Sequence, residues 1–260
     1  MEPVIRLENV YKSFGDKHVL QGVSLEIYKG ETFVILGPSG CGKSVTLKII
    51  TGLLEPDAGE VFVDGRDILR IKEPELNEIR RQMGMLFQNA ALFDSLTVAE
   101  NVGFGLNQMG TMDPEEIARR VSRNLELVGL SGIEEIMPSE LSGGMRKRVG
   151  LARAIALHPR LIIYDEPTTG LDPIVATEID QLVVKLQREL NATSVVITHD
   201  LNSAFRVADR MGLHFDGKIW EISDPDTFRN SKNPFVQRFL KGEPEIKDNH
   251  RIYEFKGRFV

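Results

Sequence analysis

Cysteine is almost missing from this chain: Cys41 stands alone among 260 residues. An intramolecular disulfide and a cysteine-based zinc cluster are both excluded, and a reducing compartment fits. Long apolar runs are missing too. No uninterrupted stretch approaches the roughly 18 to 20 apolar residues of a membrane span, and the start "MEPVIRLENV" lacks the basic and apolar regions of a secretory leader. The expectation is a soluble, cytoplasmic chain whose membrane role comes through partners. Nor is there an excess of positive charge. Thirty-two Lys and Arg stand against 38 Asp and Glu, a net charge of −6, so no global basic field draws the chain onto nucleic acid or anionic lipid. Internal repeats, low-complexity tracts and long linkers are absent as well.

What is present suits a folded α/β protein: 42% hydrophobic and 27% charged residues give material for one large domain or two small ones. Residues 4 to 28 alternate apolar and polar positions around "FGDK", which predicts short antiparallel strands. The pattern then changes to a compact apolar strand "ETFVILG" (31 to 37), a glycine loop and a helix "GKSVTLKIITGLL" (42 to 54). Another strand is predicted at 59 to 65 and a short helix at 75 to 83. Residues 97 to 157 read as mostly helical, with Thr97 and Asp113 as candidate helix caps. Buried strands "RLIIYDEP" (160 to 167) and "TSVVITHD" (193 to 200) flank an amphipathic helix at 172 to 190, and "GLHFDGKIWEIS" (212 to 223) reads as a hairpin turning at Asp216-Gly217. Strands alternating with helices predict a parallel sheet covered on both faces. Past residue 230, "NPFVQRFLKG" predicts a short amphipathic helix, followed by an extended tail.

"GPSGCGKS" (37 to 44) fits G-x-x-x-x-G-K-[ST], in which glycines let backbone N–H groups converge on phosphate oxygens at a helix N-terminus. Gly37, Pro38, Ser39, Gly40, Cys41, Gly42 and Val45 would form and flank this loop, Lys43 would hold the β- and γ-phosphates, and Ser44 would ligate Mg²⁺. Such a loop needs acidic residues at a second strand end. In "LIIYDE", Asp165 would hold Mg²⁺ from the outer layer of ligands and Glu166 would orient or deprotonate the attacking water. His199, ending "VITHD", is placed to reach the γ-phosphate.

In this order, "GPSGCGKS", "LFQ", "LSGGM", "LIIYDEPTTGLDP" and "ITHD" resemble the nucleotide-binding subunit of ABC transporters, over about residues 4 to 225. The resemblance implies a RecA-like P-loop NTPase core with a mostly parallel sheet, an N-terminal antiparallel β-subdomain and an α-helical signature subdomain. It implies an ATPase domain over 1 to 230, with the helical part inserted at about 89 to 158, and a separate helix and tail over 231 to 260. It also implies ATP and Mg²⁺ as cofactors and a head-to-tail dimer with a second copy. In that dimer Ser142, Gly143 and Gly144 of one subunit cap the ATP held by the other. Alone, Ser142 reads more often as a plain helix N-cap. Gln88 would touch Mg²⁺ or the attacking water. Asp172 would lie in the loop between the two ATP sites, or cap the following helix, or both. Phe14 sits where the family places an aromatic against adenine, with Tyr11 as a rival.

Met145, where the family signature usually ends in glutamine, together with "MLFQNAALFDSLTVAENVGFGL" (85 to 106), resembles the ATPases of MCE-type lipid transporters. That narrower likeness implies phospholipid or another hydrophobic cargo, a membrane permease and an MCE-domain protein as partners, no nucleic acid, and a place on the cytoplasmic face of the inner membrane. An importer of a small solute such as an amino acid, ion or sugar remains the alternative, and a soluble cassette of translation or DNA repair a remote one. Ala91, Leu92, Phe93 and Leu96 either line a groove for the permease or pack beneath their own loop. The tail from 244 either crosses to the second subunit or is disordered.

Overall fold

A computed structural model describes residues 2 to 243; the expectations for the tail from residue 244 lie outside the described residues. Ten strands are present in the described chain: β1 (Pro3–Phe14), β2 (Lys17–Tyr28), β3 (Thr32–Leu36), β4 (Ala58–Val63), β5 (Arg66–Asp67), β6 (Met83–Leu86), β7 (Leu161–Asp165), β8 (Thr193–Thr198), β9 (Arg210–Phe215) and β10 (Lys218–Ser223). The α-helices are α1 (Lys43–Ile50), α2 (Glu73–Arg81), α3 (Val98–Met109), α4 (Pro114–Leu127), α5 (Gly143–Ile155), α6 (Pro173–Leu190), α7 (Leu201–Val207), α8 (Pro225–Arg229) and α9 (Pro234–Leu240).

The strands form two sheets, an antiparallel one ordered β2-β1-β4-β5 and a second ordered β10-β9-β3-β8-β7-β6. In the second sheet β9, β3, β8, β7 and β6 run parallel and only β10 is antiparallel, paired with β9 across the expected Asp216-Gly217 turn. This is the α/β architecture that the strand and helix pattern predicts, with the mostly parallel sheet and antiparallel β-subdomain that the resemblance implies.

Strand alternation divides the core between the two faces of the parallel sheet. Phe33, Ile35, Ile163, Val195 and Ile197 face the antiparallel sheet, α1 and α2. Val34, Leu36, Ile162, Tyr164 and Val196 face the other way, toward α3 to α7. Because both faces are covered, these strands carry continuous apolar runs instead of an apolar-polar alternation.

The short helix expected at 75 to 83 runs instead over Glu73–Arg81, with Met83 in β6, and of the two expected caps one forms its bond. Thr97 Oγ1 accepts from the Glu100 N–H at 3.2 Å while Glu100 Oε2 accepts from the Thr97 N–H at 2.7 Å, a reciprocal cap for α3. Asp113 occupies the N-cap of α4, yet its side chain makes no capping hydrogen bond. Its carboxylate still lies at the positive end of the helix, where Glu115 and Glu116 also sit.

The seating of α5 on β6 depends on missing side chains. A Cβ at Gly84 would lie 2.3 Å from the Ala154 carbonyl oxygen, and one at Gly150 would lie 2.8 Å from Leu86 Cδ1. Backbone cannot yield as a flexible side chain can. Gly84→Ala is therefore expected to cost about 2 to 3 kcal/mol in urea unfolding, the upper range for overpacking; a loss under about 0.5 kcal/mol would contradict this packing.

Candidate functional site

Four neighbouring parallel strands deliver the candidate residues to one edge of the sheet. The loop from Gly37 to Gly42 follows β3, His199 follows β8, Asp165 ends β7 with Glu166 directly after it, and Gln88 lies two residues beyond β6. This is the carboxyl-end crevice where open α/β sheets bind ligands.

The loop after β3 is wedged against the fold. A Cβ at Gly37 would lie 2.1 Å from the His214 carbonyl oxygen, and Gly42 has φ +116° with Leu20, Val19 and His214 all 3.0 Å from where its Cβ would stand. Only glycine meets both the dihedral and the space. Lys43 then opens α1 with its side chain 5% exposed. Its Nζ donates to the carbonyls of Gly37 at 2.7 Å and Pro38 at 2.9 Å, and lies 3.6 Å from Glu166 Oε1.

Glu166 is held from several sides. Its Oε2 lies 2.8 Å from His199 Nδ1 and accepts from Thr169 Oγ1 at 3.0 Å. Its backbone adopts φ +51°, a left-handed conformation costing a non-glycine residue about 1 to 3 kcal/mol, and its N–H donates to the Ile197 carbonyl at 2.9 Å. Beside it, Ser44 Oγ donates to Asp165 Oδ1 at 3.4 Å. Burial, and then the Glu166 charge, push the Asp165 carboxyl above its usual range.

A cavity of about 490 Å³ opens over these groups, lined by Phe14, Lys17, Val19, Ser39, Gly40, Gly42, Lys43, Ser44, Val45, Gln88, Glu166 and His199. Phe14 is half exposed and borders the cavity, whereas Tyr11 is not among its lining residues and packs its hydroxyl end beside Gly22. Cys41 is partly buried next to Gly37, and desolvation raises its thiol pKa above the ordinary value.

Ser142, Gly143, Gly144 and Asp172 do not line this cavity. Ser142 caps α5, its Oγ accepting from the Met145 N–H at 3.2 Å, and Asp172 caps α6, accepting from the Ile174 and Val175 N–H groups. A Cβ at Gly144 would meet Val175 Cγ1 at 2.7 Å, so this glycine serves the α5 to α6 packing within the chain, while Gly143 would meet only an ordinary contact at 3.5 Å. Met145, on α5, is partly buried and packs against the core cluster. The apolar loop divides: Leu92 packs inward, while Phe93 stays 44% exposed, 4.7 Å from the ring of Phe104.

His214 was not among the sequence candidates. It is fully buried beneath the loop, with Nε2 3.4 Å from Thr46 Oγ1 and Nδ1 without a hydrogen-bond partner. The available signal was its place in β9, one strand from the glycine loop. Burial, reinforced by the Lys43 charge, pulls its pKa down to about 4. The unfolded chain protonates near 6.5 and the native chain only near 4, so native stability falls as pH drops through that interval, by about 3 kcal/mol in all. Urea unfolding at pH 7 and pH 4.5 is expected to show this loss in the parent chain, and a flatter acid limb in His214→Asn. For Cys41, alkylation is expected to be slow at neutral pH, to accelerate above the ordinary thiol pKa of 9.0, and to be blocked by MgATP; alkylation unaffected by MgATP would place the loop away from the nucleotide.

Known proteins resemble this chain in sequence and fold. The ABC transporter family model matches residues 20–169. The intermembrane phospholipid transport system ATP-binding protein MlaF of Haemophilus influenzae is 42% identical over 93% of this chain and 92% of its own length. The probable ribonucleotide transport ATP-binding protein mkl of Mycobacterium leprae is 42% identical over 93% of this chain and 70% of its own. A solved dimeric ATP-binding cassette in a post-hydrolysis state, bound to ADP and Pi, superposes with a TM-score of 0.78 at 37% identity, covering 85% of this chain and 98% of that one. With the glycine loop, the paired acids and the strand-end histidine gathered at one crevice, the chain belongs to the ABC transporter family and is an ATP-binding, ATP-hydrolysing cassette.

Proposed function

We propose that this cassette powers the movement of phospholipid, or another hydrophobic molecule, between membranes of the cell envelope, as part of an MCE-type complex. The observation that carries the chemical part is the set of contacts on Glu166, where Lys43, His199 and Thr169 all reach one carboxylate at the cavity wall. A carboxylate so constrained can orient a water against a terminal phosphate and take its proton. Lys43, at the base of the glycine loop, neutralises phosphate charge, and His199 both steadies Glu166 and faces the transferred group. Phe14 offers an exposed ring for the adenine.

The donor set also suits Mg²⁺: a hydroxyl on Ser44 and an amide on Gln88 present oxygen ligands at the cavity, and Asp165, which accepts from Ser44 Oγ, adds a carboxylate behind them, its pKa raised first by burial and then by the Glu166 charge that a divalent cation would offset. Ser44, Gln88 and Asp165 would hold the ion, which when bound supplies charge neutralisation of the phosphates.

Ser142, Gly143 and Gly144 stand outside their own chain's cavity, at the N-terminus of α5. That position fits a head-to-tail pair in which they close over the nucleotide of a second copy, with Asp172 between the two sites. Exposed Phe93 and Phe104 offer an apolar patch to a permease. Among the described residues no helix is long and apolar enough to cross a membrane, so attachment to the cytoplasmic face of the inner membrane would run through that permease. The extended match to the phospholipid cassette supports the cargo.

Glu166→Gln is expected to lower kcat by about 10²- to 10³-fold while retaining ATP binding; full turnover would remove Glu166 as the base. Gentle affinity purification from detergent-solubilised native membranes tests the cargo. Recovery of a permease, an MCE-domain protein and phospholipid is expected. A permease with a solute-binding protein would overturn the lipid reading, and ribosomes or DNA enzymes would overturn the transporter reading.

A further inference from the structure

Lys147 lies in the second turn of α5, only 5% exposed, and is the one charged residue among the buried residues of that helix. Burying an ammonium is costly unless its donors find acceptors. Those it finds belong to two loops of the candidate site. Nζ donates to the Glu166 carbonyl at 3.1 Å and, by a short contact, to the Gln88 carbonyl.

The Glu166 peptide is where such a contact matters most. Its left-handed conformation is unfavourable for a side-chain-bearing residue and persists only when neighbours over-determine it. Its N–H is tied to β8 through the Ile197 carbonyl, and its own carbonyl accepts from the Thr169 N–H at 3.3 Å as well as from Lys147. The Lys147 bond joins this peptide to α5, the helix that begins with Ser142 and the two glycines. The same helix holds the next segment of the chain in a similar way. Arg153 donates to the carbonyls of Ala90 at 2.6 Å and Ala91 at 2.7 Å, two consecutive alanines with φ +59° and +48°. Cations from α5 therefore fix both the loop carrying Gln88 and the turn carrying Glu166.

We infer that Lys147 is a positioning residue for hydrolysis: by bonding the Glu166 and Gln88 carbonyls together it sets the direction of the Glu166 carboxylate and makes that direction depend on where α5 sits. It touches neither the reacting phosphate nor the water. A shift of α5, as when its N-terminus meets another surface, moves both carbonyls together. The inference rests on the reading of Glu166 as the base.

The test compares Lys147→Met, Lys147→Arg and Glu166→Gln in the full chain, with kcat expressed per site that binds trinitrophenyl-ATP so that misfolded protein does not count. Methionine keeps the length and removes the donors, while arginine restores them. Lys147→Met is expected to lower kcat per site by about 30-fold, within the range that a displacement near 1 Å produces, with the KM for MgATP held within about twofold, and Lys147→Arg to regain kcat to within about threefold of the parent. Unchanged kcat per site in Lys147→Met, a loss carried by KM, or no rescue by arginine would each overturn the inference. If Glu166→Gln itself retained full turnover, the reading of the base would fail instead, and the two failures are thereby distinguished.

Discussion

An ammonium group taken out of water needs an acceptor for its N–H donors, and among the described residues two such buried groups, Lys43 and Lys147, meet at Glu166. Lys43 approaches the carboxylate from the glycine loop. Lys147 approaches the backbone carbonyl from α5. The left-handed turn at Glu166 is the point at which these demands meet, and the His199 and Thr169 contacts close the remaining freedom of the side chain. The parallel order β3-β8-β7-β6 makes this possible, because it sets the glycine loop, His199, Glu166 and Gln88 at adjacent strand ends.

That arrangement also separates the parts of the proposed composite site within one chain. The loop, the acids and the histidine belong to the sheet, while Ser142 and its glycines belong to the helical layer and stand away from the cavity. Ser142 meanwhile caps its own helix through the Met145 N–H, so its local role and a role toward another molecule are compatible, since a hydroxyl both donates and accepts. Gly144 has a reason inside the chain, the close approach of Val175. Gly143 has no such constraint.

Much of this was legible in the residue order. Apolar runs ending in glycine or acid, as in "ETFVILG" and "LIIYDE", identify doubly covered parallel strands and the residues at their ends. Contacts set by packing were not legible. Asp113 has the residue type and position of a cap without the bond. Tyr11 and Phe14 are both half-exposed aromatics on one strand, and only the path of β1 past the glycine loop puts Phe14 at the cavity. Lys147 sits among "RKR", where a charge run reads as a solvated face. Its burial follows from the docking of α5 against β6, which depends on Gly150 one turn along the helix and on Gly84, 63 residues earlier in the chain.

The central claim is that sheet and helical layer contribute to one reaction from different copies of the chain. Mixing two inactive variants, Lys43→Ala and Ser142→Arg, tests it directly, because a head-to-tail mixed pair contains one intact composite site. The account predicts that each variant alone is inactive and that the mixture regains ATPase activity. Full activity of Ser142→Arg alone, or no recovery at any mixing ratio of the folded variants, would contradict it.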